Sequence, residues 1–110
     1  VLTAKGMEYD MFREVVGTKE IRKDTYGFSR DYNNINKILW KIPGANGVKT
    51  GYTGQAGKCL VSSVNHDGRD IIIVVLNCPD RWNQTDKIYK HVAEKMAFQN
   101  ENMKEMVMTE

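Results

Sequence analysis

The residues best able to do chemistry are Lys49, Thr50 and Gly51, a Lys-Thr-Gly triplet that stands between the turn-forming residues Gly47 and Gly54. The triplet offers a cationic side chain and a hydroxyl. Gly51 lacks a Cβ, so the backbone of a ligand could approach a strand closely at that position. Three common residues recur by chance, however, and such a triplet alone is usually an exposed strand end with a solvated lysine. Its surroundings must decide which interpretation holds.

The surrounding segments form an ordered pattern along the chain. They are Asn34–Trp40, Gly47–Thr53, Ala56–Val61 and Asp67–Leu76. In this order and spacing they resemble the C-terminal half of the catalytic domain of serine-type D-alanyl-D-alanine carboxypeptidases, the low-molecular-weight penicillin-binding proteins. The resemblance covers roughly residues 10 to 98 and extends to Arg81 and Asp86.

The resemblance implies a hydrolase that trims the stem peptides of bacterial peptidoglycan through an acyl-enzyme, an intermediate that β-lactams trap. Such enzymes combine a Ser-x-x-Lys, a Ser-x-Asn and a Lys-Thr-Gly element. By the same resemblance, Lys49 and the backbone N–H of Tyr52 are catalytic, the latter as one oxyanion donor. Thr50 and Gly51 would bind substrate, with main-chain groups of Gly51 and Tyr52 pairing with the substrate backbone.

The nucleophile is missing from this sequence, because none of the three serines is followed by lysine at the third position. Ser63-Val64-Asn65 spells Ser-x-Asn but follows the Lys-Thr-Gly and lies in a predicted strand, so we interpret it as structural. Tyr32-Asn33-Asn34, a Tyr-x-Asn variant, lies among turn formers and is interpreted as a loop. We therefore expect one partial domain over residues 1–110, inactive alone, whose parent protein is the enzyme.

The alternative is a non-catalytic peptide- or protein-binding module derived from the same fold. A β-lactamase segment is disfavoured, since Asn34-x-Asn36 and the Ala56–Leu60 segment look like the carboxypeptidases.

Composition excludes several classes of function. The chain is 41% hydrophobic and 27% charged, with a net charge of +2, so it has no basic stripe for nucleic acid. No apolar run approaches the roughly 18 residues of a membrane span. No cofactor or metal is expected, because His66, His91, Cys59 and Cys78 lack ligand spacing. This segment contains no export signal. The location of the parent protein outside the cytoplasm, in the bacterial cell envelope, is implied by the resemblance alone.

The predicted fold is α+β, an antiparallel sheet with flanking helices in a partial β-lactamase/transpeptidase-like domain. The elements expected are a helix over 10–16 capped by Asp10, a weak strand over 25–30, strands over 48–52, 58–65 and 69–77, and a helix over 85–98 capped by Thr85. Asp67-Gly68 predicts a type I′ hairpin. The unbroken apolar run 71–76 predicts a central strand covered on both faces.

Two surface features complete the expectation. Cys59 and Cys78 lie diagonally across the predicted hairpin, about 7–8 Å apart by Cα, so buried free thiols are favoured over a disulfide. The helix over 85–98 should cover one face of the sheet and leave the other exposed and apolar. Such a face could support a homo-oligomer or a swapped dimer. The tail with Met103, Met106 and Met108 is expected either to adapt to that face or to be disordered.

Overall fold

A computed structural model describes the backbone of residues 1–108 and the side-chain surroundings of residues 1–99. Short helices precede a sheet, and a long helix follows it. The elements in chain order are α1 Leu2–Gly6, α2 Asp10–Val16, β1 Glu20–Ile21, α3 Lys23–Tyr26, β2 Tyr32–Asn33, α4 Ile38–Lys41, β3 Ala45–Thr53, β4 Gly57–His66, β5 Arg69–Val75 and α5 Arg81–Met108.

The main sheet has three antiparallel strands in the order β3-β4-β5. Its register pairs Lys49 with Val61 and Val61 with Val74. The β4–β5 turn has positive φ at both central residues, 52° at Asp67 and 81° at Gly68, which is the type I′ geometry. The predicted hairpin is therefore confirmed. β1 and β2 form a separate two-stranded ladder.

One face of the sheet, here called the core face, carries Leu60 and Val64, which are almost completely buried. Ile38 and Ile42 from the α4 region pack against them, and Trp82 and Tyr89 of α5 close the cluster. Burying an aliphatic side chain of this size contributes about 1.5–3 kcal/mol. The prediction that the C-terminal helix covers one face is confirmed.

The opposite face, here called the open face, is covered only in part. The Val16 side chain would lie 3.0 Å from a Cβ built on Gly47, so α2 packs closely on this end of the sheet. Val74, farther along the face, is 55% exposed. The expected apolar exposure is therefore present at one end of the face and absent at the other.

A polar cluster fastens α2 to the sheet. The Asp70 carboxylate accepts hydrogen bonds from Arg13, Asn46 and Asn65, and Arg13 also donates to the Met7 carbonyl. The hydrogen bond from Arg13 holds the pKa of Asp70 below its usual value, with further lowering by the two asparagines, although partial burial opposes it. The pKa of Arg13 is raised by the same contact. The cluster thus joins α2, β3, β4 and β5.

The expectation for residues 71–76 is wrong in one respect. β4 is the central strand, and β5 lies at an edge of the described sheet. A run of β-branched residues indicates burial without indicating how many neighbours a strand has. Leu76 lies beyond the end of β5 and is 72% exposed.

Some local predictions for the residues before β3 are wrong. Residues 25–30 form no strand, because α3 ends at Tyr26 with Gly27 as its C-cap, at a φ of 73°. Tyr32–Asn33, interpreted from the sequence as part of a loop, forms β2 instead. Asp10 is the first residue of α2 and Tyr9 is its N-cap, without a side-chain hydrogen bond.

The long helix begins at Arg81, four residues before Thr85, so Thr85 lies inside it, fully buried, and does not cap it. The helical backbone continues through Met108, whereas the side chains of Met103, Met106 and Met108 lie outside the described residues. Cys59 and Cys78 are free but half-buried, so the expectation of buried thiols is corrected.

Candidate functional site

The candidate site is the outer edge of β3, which among the described strands pairs only with β4. The contacts of Arg81 reveal which residues of β3 and β4 are hydrogen-bonded to each other. Its Nη1 atom donates both to the Gly51 carbonyl, at 3.2 Å, and to the Cys59 carbonyl, at 3.0 Å. Gly51 and Cys59 are register partners. One nitrogen can reach both oxygens only if they lie between the strands, so Gly51 and Cys59 form a hydrogen-bonded pair.

In an antiparallel ladder, hydrogen-bonded and non-hydrogen-bonded residue pairs alternate. In the neighbouring pair, the main-chain groups of Tyr52 and Lys58 therefore point away from each other. A second contact agrees, since the Lys58 carbonyl accepts a hydrogen bond from the Cys78 N–H at 2.7 Å, on the side away from β3. The N–H and C=O of Tyr52 therefore face the outer edge of β3. Those of Thr50, two residues earlier, face the same way.

Lys49 is exposed, and its ammonium group stands at this edge. Its Nζ donates to the Thr50 carbonyl at 2.8 Å. One of the outward carbonyls is thus occupied by a cation, while the main-chain groups of Tyr52 remain accessible on a residue that is 68% exposed. The edge therefore combines the Lys49 ammonium, at the Thr50 carbonyl, with the N–H of Tyr52, two residues farther along β3.

Thr50 and Gly51 are placed differently from each other. Thr50 is only 7% exposed and pairs with Leu60, so its side chain lies on the core face. A Cβ built on Gly51 would have no heavy atom within 4 Å, so open space lies above it. The main-chain groups of Gly51 turn toward β4, whereas those of Thr50 and Tyr52 face the outer edge.

Arg81 is the residue that the sequence interpretation undervalued. Its guanidinium also stacks on the Trp82 ring, with the Cζ atom 4.6 Å from the ring centroid. It thereby joins the start of α5 to β3 at the position next to Tyr52. The available signal was an arginine at the beginning of a helix that must pack on the sheet, but no spacing rule assigns it a carbonyl.

The two other motif matches, Ser63-Val64-Asn65 and Tyr32-Asn33-Asn34, contain residues with structural roles. Ser63 is completely buried in β4, and Asn65 donates to Asp70. Asn34 donates to the Thr18 carbonyl and accepts from the Asn36 N–H, and Asn36 in turn accepts from the Ile38 N–H. The Asn34-x-Asn36 pattern therefore holds the chain at the start of α4.

Other candidate groups lie away from this edge. His66 is half-buried, and its Nδ1 lies 3.1 Å from the Tyr89 hydroxyl. Among the described residues no group of three or more His, Cys, Asp or Glu side chains could hold a metal ion. In the same part of the chain, no helix has the length and apolar character that a membrane span requires.

Comparison with known proteins identifies the family. Residues 1–80 match the peptidase S11 model, described as D-alanyl-D-alanine carboxypeptidase. The chain belongs to this family. The resemblance seen in the sequence is therefore confirmed.

Individual relatives agree with the family match. D-alanyl-D-alanine carboxypeptidase DacF of Bacillus subtilis is 45% identical over 42 residues, which cover 38% of this chain and 11% of that protein. The match to the crystal structure of the Streptomyces K15 DD-transpeptidase covers 81% of this chain and 37% of the transpeptidase chain, at 31% sequence identity and a TM-score of 0.70. This likeness confirms the predicted α+β fold. The chain spans about a ninth of DacF and just over a third of the Streptomyces protein.

A more distant structure supports the fold alone. Penicillin-binding protein D2 from Listeria monocytogenes, in its ampicillin-bound form, is 24% identical with a TM-score of 0.67. The match covers 81% of this chain and 37% of that one.

Proposed function

We propose that this chain is the Lys-Thr-Gly part of a serine-type D-Ala-D-Ala carboxypeptidase that trims peptidoglycan stem peptides outside the cytoplasmic membrane. The family match and the resemblance to the carboxypeptidases support the reaction class. The parent protein would also bind β-lactams, which trap the acyl-enzyme. Nucleic acid is not a proposed partner.

One feature carries the proposal: the Tyr52 N–H and C=O face the edge of β3 that no other described strand occupies, near the Lys49 ammonium. An extended peptide can add to such an edge by main-chain hydrogen bonds. The Tyr52 N–H would then donate to the developing oxyanion, and Lys49 would favour a carboxylate or an ionised nucleophile nearby. Gly51 would leave room for the substrate backbone because it has no Cβ.

The proposed hole for the oxyanion is only half supplied by this chain. The second donor would be the N–H of a serine nucleophile in a Ser-x-x-Lys element, which this sequence lacks. Removing one donor from such a hole raises the barrier by about 3 kcal/mol, so one donor alone stabilises the transition state poorly. The 110-residue chain should therefore be inactive by itself.

Fluorescent penicillin tests both parts of the proposal. The longer open reading frame should encode Ser-x-x-Lys followed by Ser-x-Asn before Val1, and its product should be labelled covalently. The 110-residue chain should remain unlabelled under the same conditions. Labelling of this chain at any serine would contradict the proposed division of the site, and an unlabelled longer product would favour the binding module.

A further inference from the structure

A groove of about 640 Å³ lies beside the core cluster, on the core-face side of the molecule. It is lined by Lys37, Trp40, Lys41, Trp82 and Asn83, from the α4 region and the first turn of α5. None of these residues has a role in the acyl-transfer chemistry proposed above. The groove therefore requires an explanation of its own.

The groove has an unneutralised positive charge. Lys37 and Lys41 lie one helical turn apart, joined by a main-chain hydrogen bond of 3.0 Å, so both side chains project from the same side of α4. Both are exposed, and neither forms an ion pair with any residue of the described part of the chain. Like charges at this spacing destabilise a helix slightly, and a bound anion would remove that repulsion.

The groove also has an aromatic wall. Trp40 is 51% exposed, three residues after Lys37 and thus on the same side of α4. Trp82 is half-buried and fixed, because it packs against the core cluster and lies under the Arg81 guanidinium. Indole rings offer rigid, apolar faces with a polar N–H at the edge. The ligand should therefore combine an anion with a surface that packs on an aromatic ring.

We propose that this groove binds an anionic glycopeptide, with a sugar ring packed against Trp40 and a stem-peptide carboxylate between Lys37 and Lys41. This choice of ligand rests on the proposed function, since uncrosslinked peptidoglycan carries both groups. Arg81 contacts Gly51 of β3 and is adjacent to Trp82, so the groove lies near the candidate site along the same helix start. A glycan chain held there through one stem peptide would present a neighbouring stem peptide to the edge of β3.

A membrane surface fits the groove less well. Aromatic residues that enter a lipid interface project from a protein surface, whereas Trp82 lines the groove and packs on the core cluster. The two unpaired lysines beside a fixed indole ring favour a discrete anionic ligand.

Intrinsic fluorescence tests the proposal directly, because the chain has only two tryptophans and both line the groove. The 110-residue chain is titrated with an uncrosslinked disaccharide-tetrapeptide, with far-UV circular dichroism as the check on folding. We expect a saturable change in emission that weakens as salt is added. The K37Q/K41Q double variant should bind about 5-fold more weakly, whereas the matched surface variant K95Q should bind like the unchanged chain.

Three results would overturn the inference. They are equal affinity in K37Q/K41Q and K95Q, equal binding of the neutral disaccharide N,N′-diacetylchitobiose, and no saturable emission change with the glycopeptide, whether or not phosphatidylglycerol vesicles produce one. W40F, which keeps an aromatic ring at an exposed position, provides a second variant and should reduce both the signal and the affinity. Penicillin labelling of the longer protein does not depend on the groove, so failure here is distinguishable from failure of the proposed function.

Discussion

The two ends of β3 are held in opposite ways. At its beginning, Asn46 donates to Asp70, and Gly44 is so close to β4 that an added Cβ would lie 2.6 Å from the Asn65 carbonyl oxygen. At its end, Gly51 has open space above it and Tyr52 is 68% exposed. The strand is therefore anchored at one end and accessible at the other.

This difference suits a site built from main-chain donors. Donors that stabilise a transition state act best when they are already oriented, since no reorganisation is then needed during the reaction. The anchored end fixes the line of the strand, and Arg81 fixes the Gly51 carbonyl near the accessible end. The Tyr52 N–H can thus be both exposed and rigidly directed.

The largest expected effect comes from removing that N–H at the accessible end. In the proposed longer protein with a Ser-x-x-Lys element, Tyr52→Pro should slow acylation by penicillin about 100-fold or more, because it would remove a proposed oxyanion donor and such a loss costs roughly 3 kcal/mol. Proline is tolerated on an edge strand where the N–H faces outward, so folding should be retained. The rate is measured from the time course of fluorescent labelling.

Tyr52→Phe is the matched control for this change, since it keeps the N–H and removes only the hydroxyl. It should label at nearly the rate of the unchanged protein. If Tyr52→Phe and Tyr52→Pro slow acylation equally, the side chain matters and the main-chain assignment is wrong.

A pair of glycine substitutions compares the two ends in the free energy of unfolding. Gly44→Ala should destabilise the chain by about 2 kcal/mol or more, because Gly44 has a φ of 89° and its new Cβ would meet a backbone oxygen. Gly51→Ala should change stability by less than about 0.5 kcal/mol, since its Cβ would enter open space. Urea-induced unfolding measures both. Equal losses would show that the two ends are equally constrained.

The accessible end was the more predictable of the two from sequence. Lys49, Thr50 and Gly51 form a short motif in a strand bounded by glycines, and β3 contains the predicted residues 48–52. The direction of each amide could not be predicted, because it depends on the β3–β4 register, and the contact that reveals it comes from Arg81, 30 residues away from Gly51. The burial of Thr50 follows from the same register.

The anchored end depends on contacts that no local pattern encodes. Asp70 gathers donors from Arg13, Asn46 and Asn65, which are distant in sequence or on different strands. The hairpin was predictable because Asp67-Gly68 specifies its own turn. The failed strand over 25–30 shows the limit, since weak alternation there competed with a short helix ended by Gly27.

The smallest expected effect concerns pH and the anchored end. Asp70 has a lowered pKa in the folded chain, chiefly because Arg13 donates to it and then because Asn46 and Asn65 donate. A carboxylate with a depressed folded pKa adds stability above its unfolded value, about 3.9, and that stability is lost as the pH falls through the folded pKa. Because the Arg13 side chain is 35% exposed, solvent screening limits the contribution to roughly 1 kcal/mol.

Unfolding free energies at pH 7 and at pH 2–3 should show Asp70→Asn less stable than the unchanged chain at pH 7 and nearly equal in acid. All other carboxylates are common to both proteins, so the difference isolates Asp70. A difference that stays constant with pH would mean that the charge of Asp70 does not anchor β3.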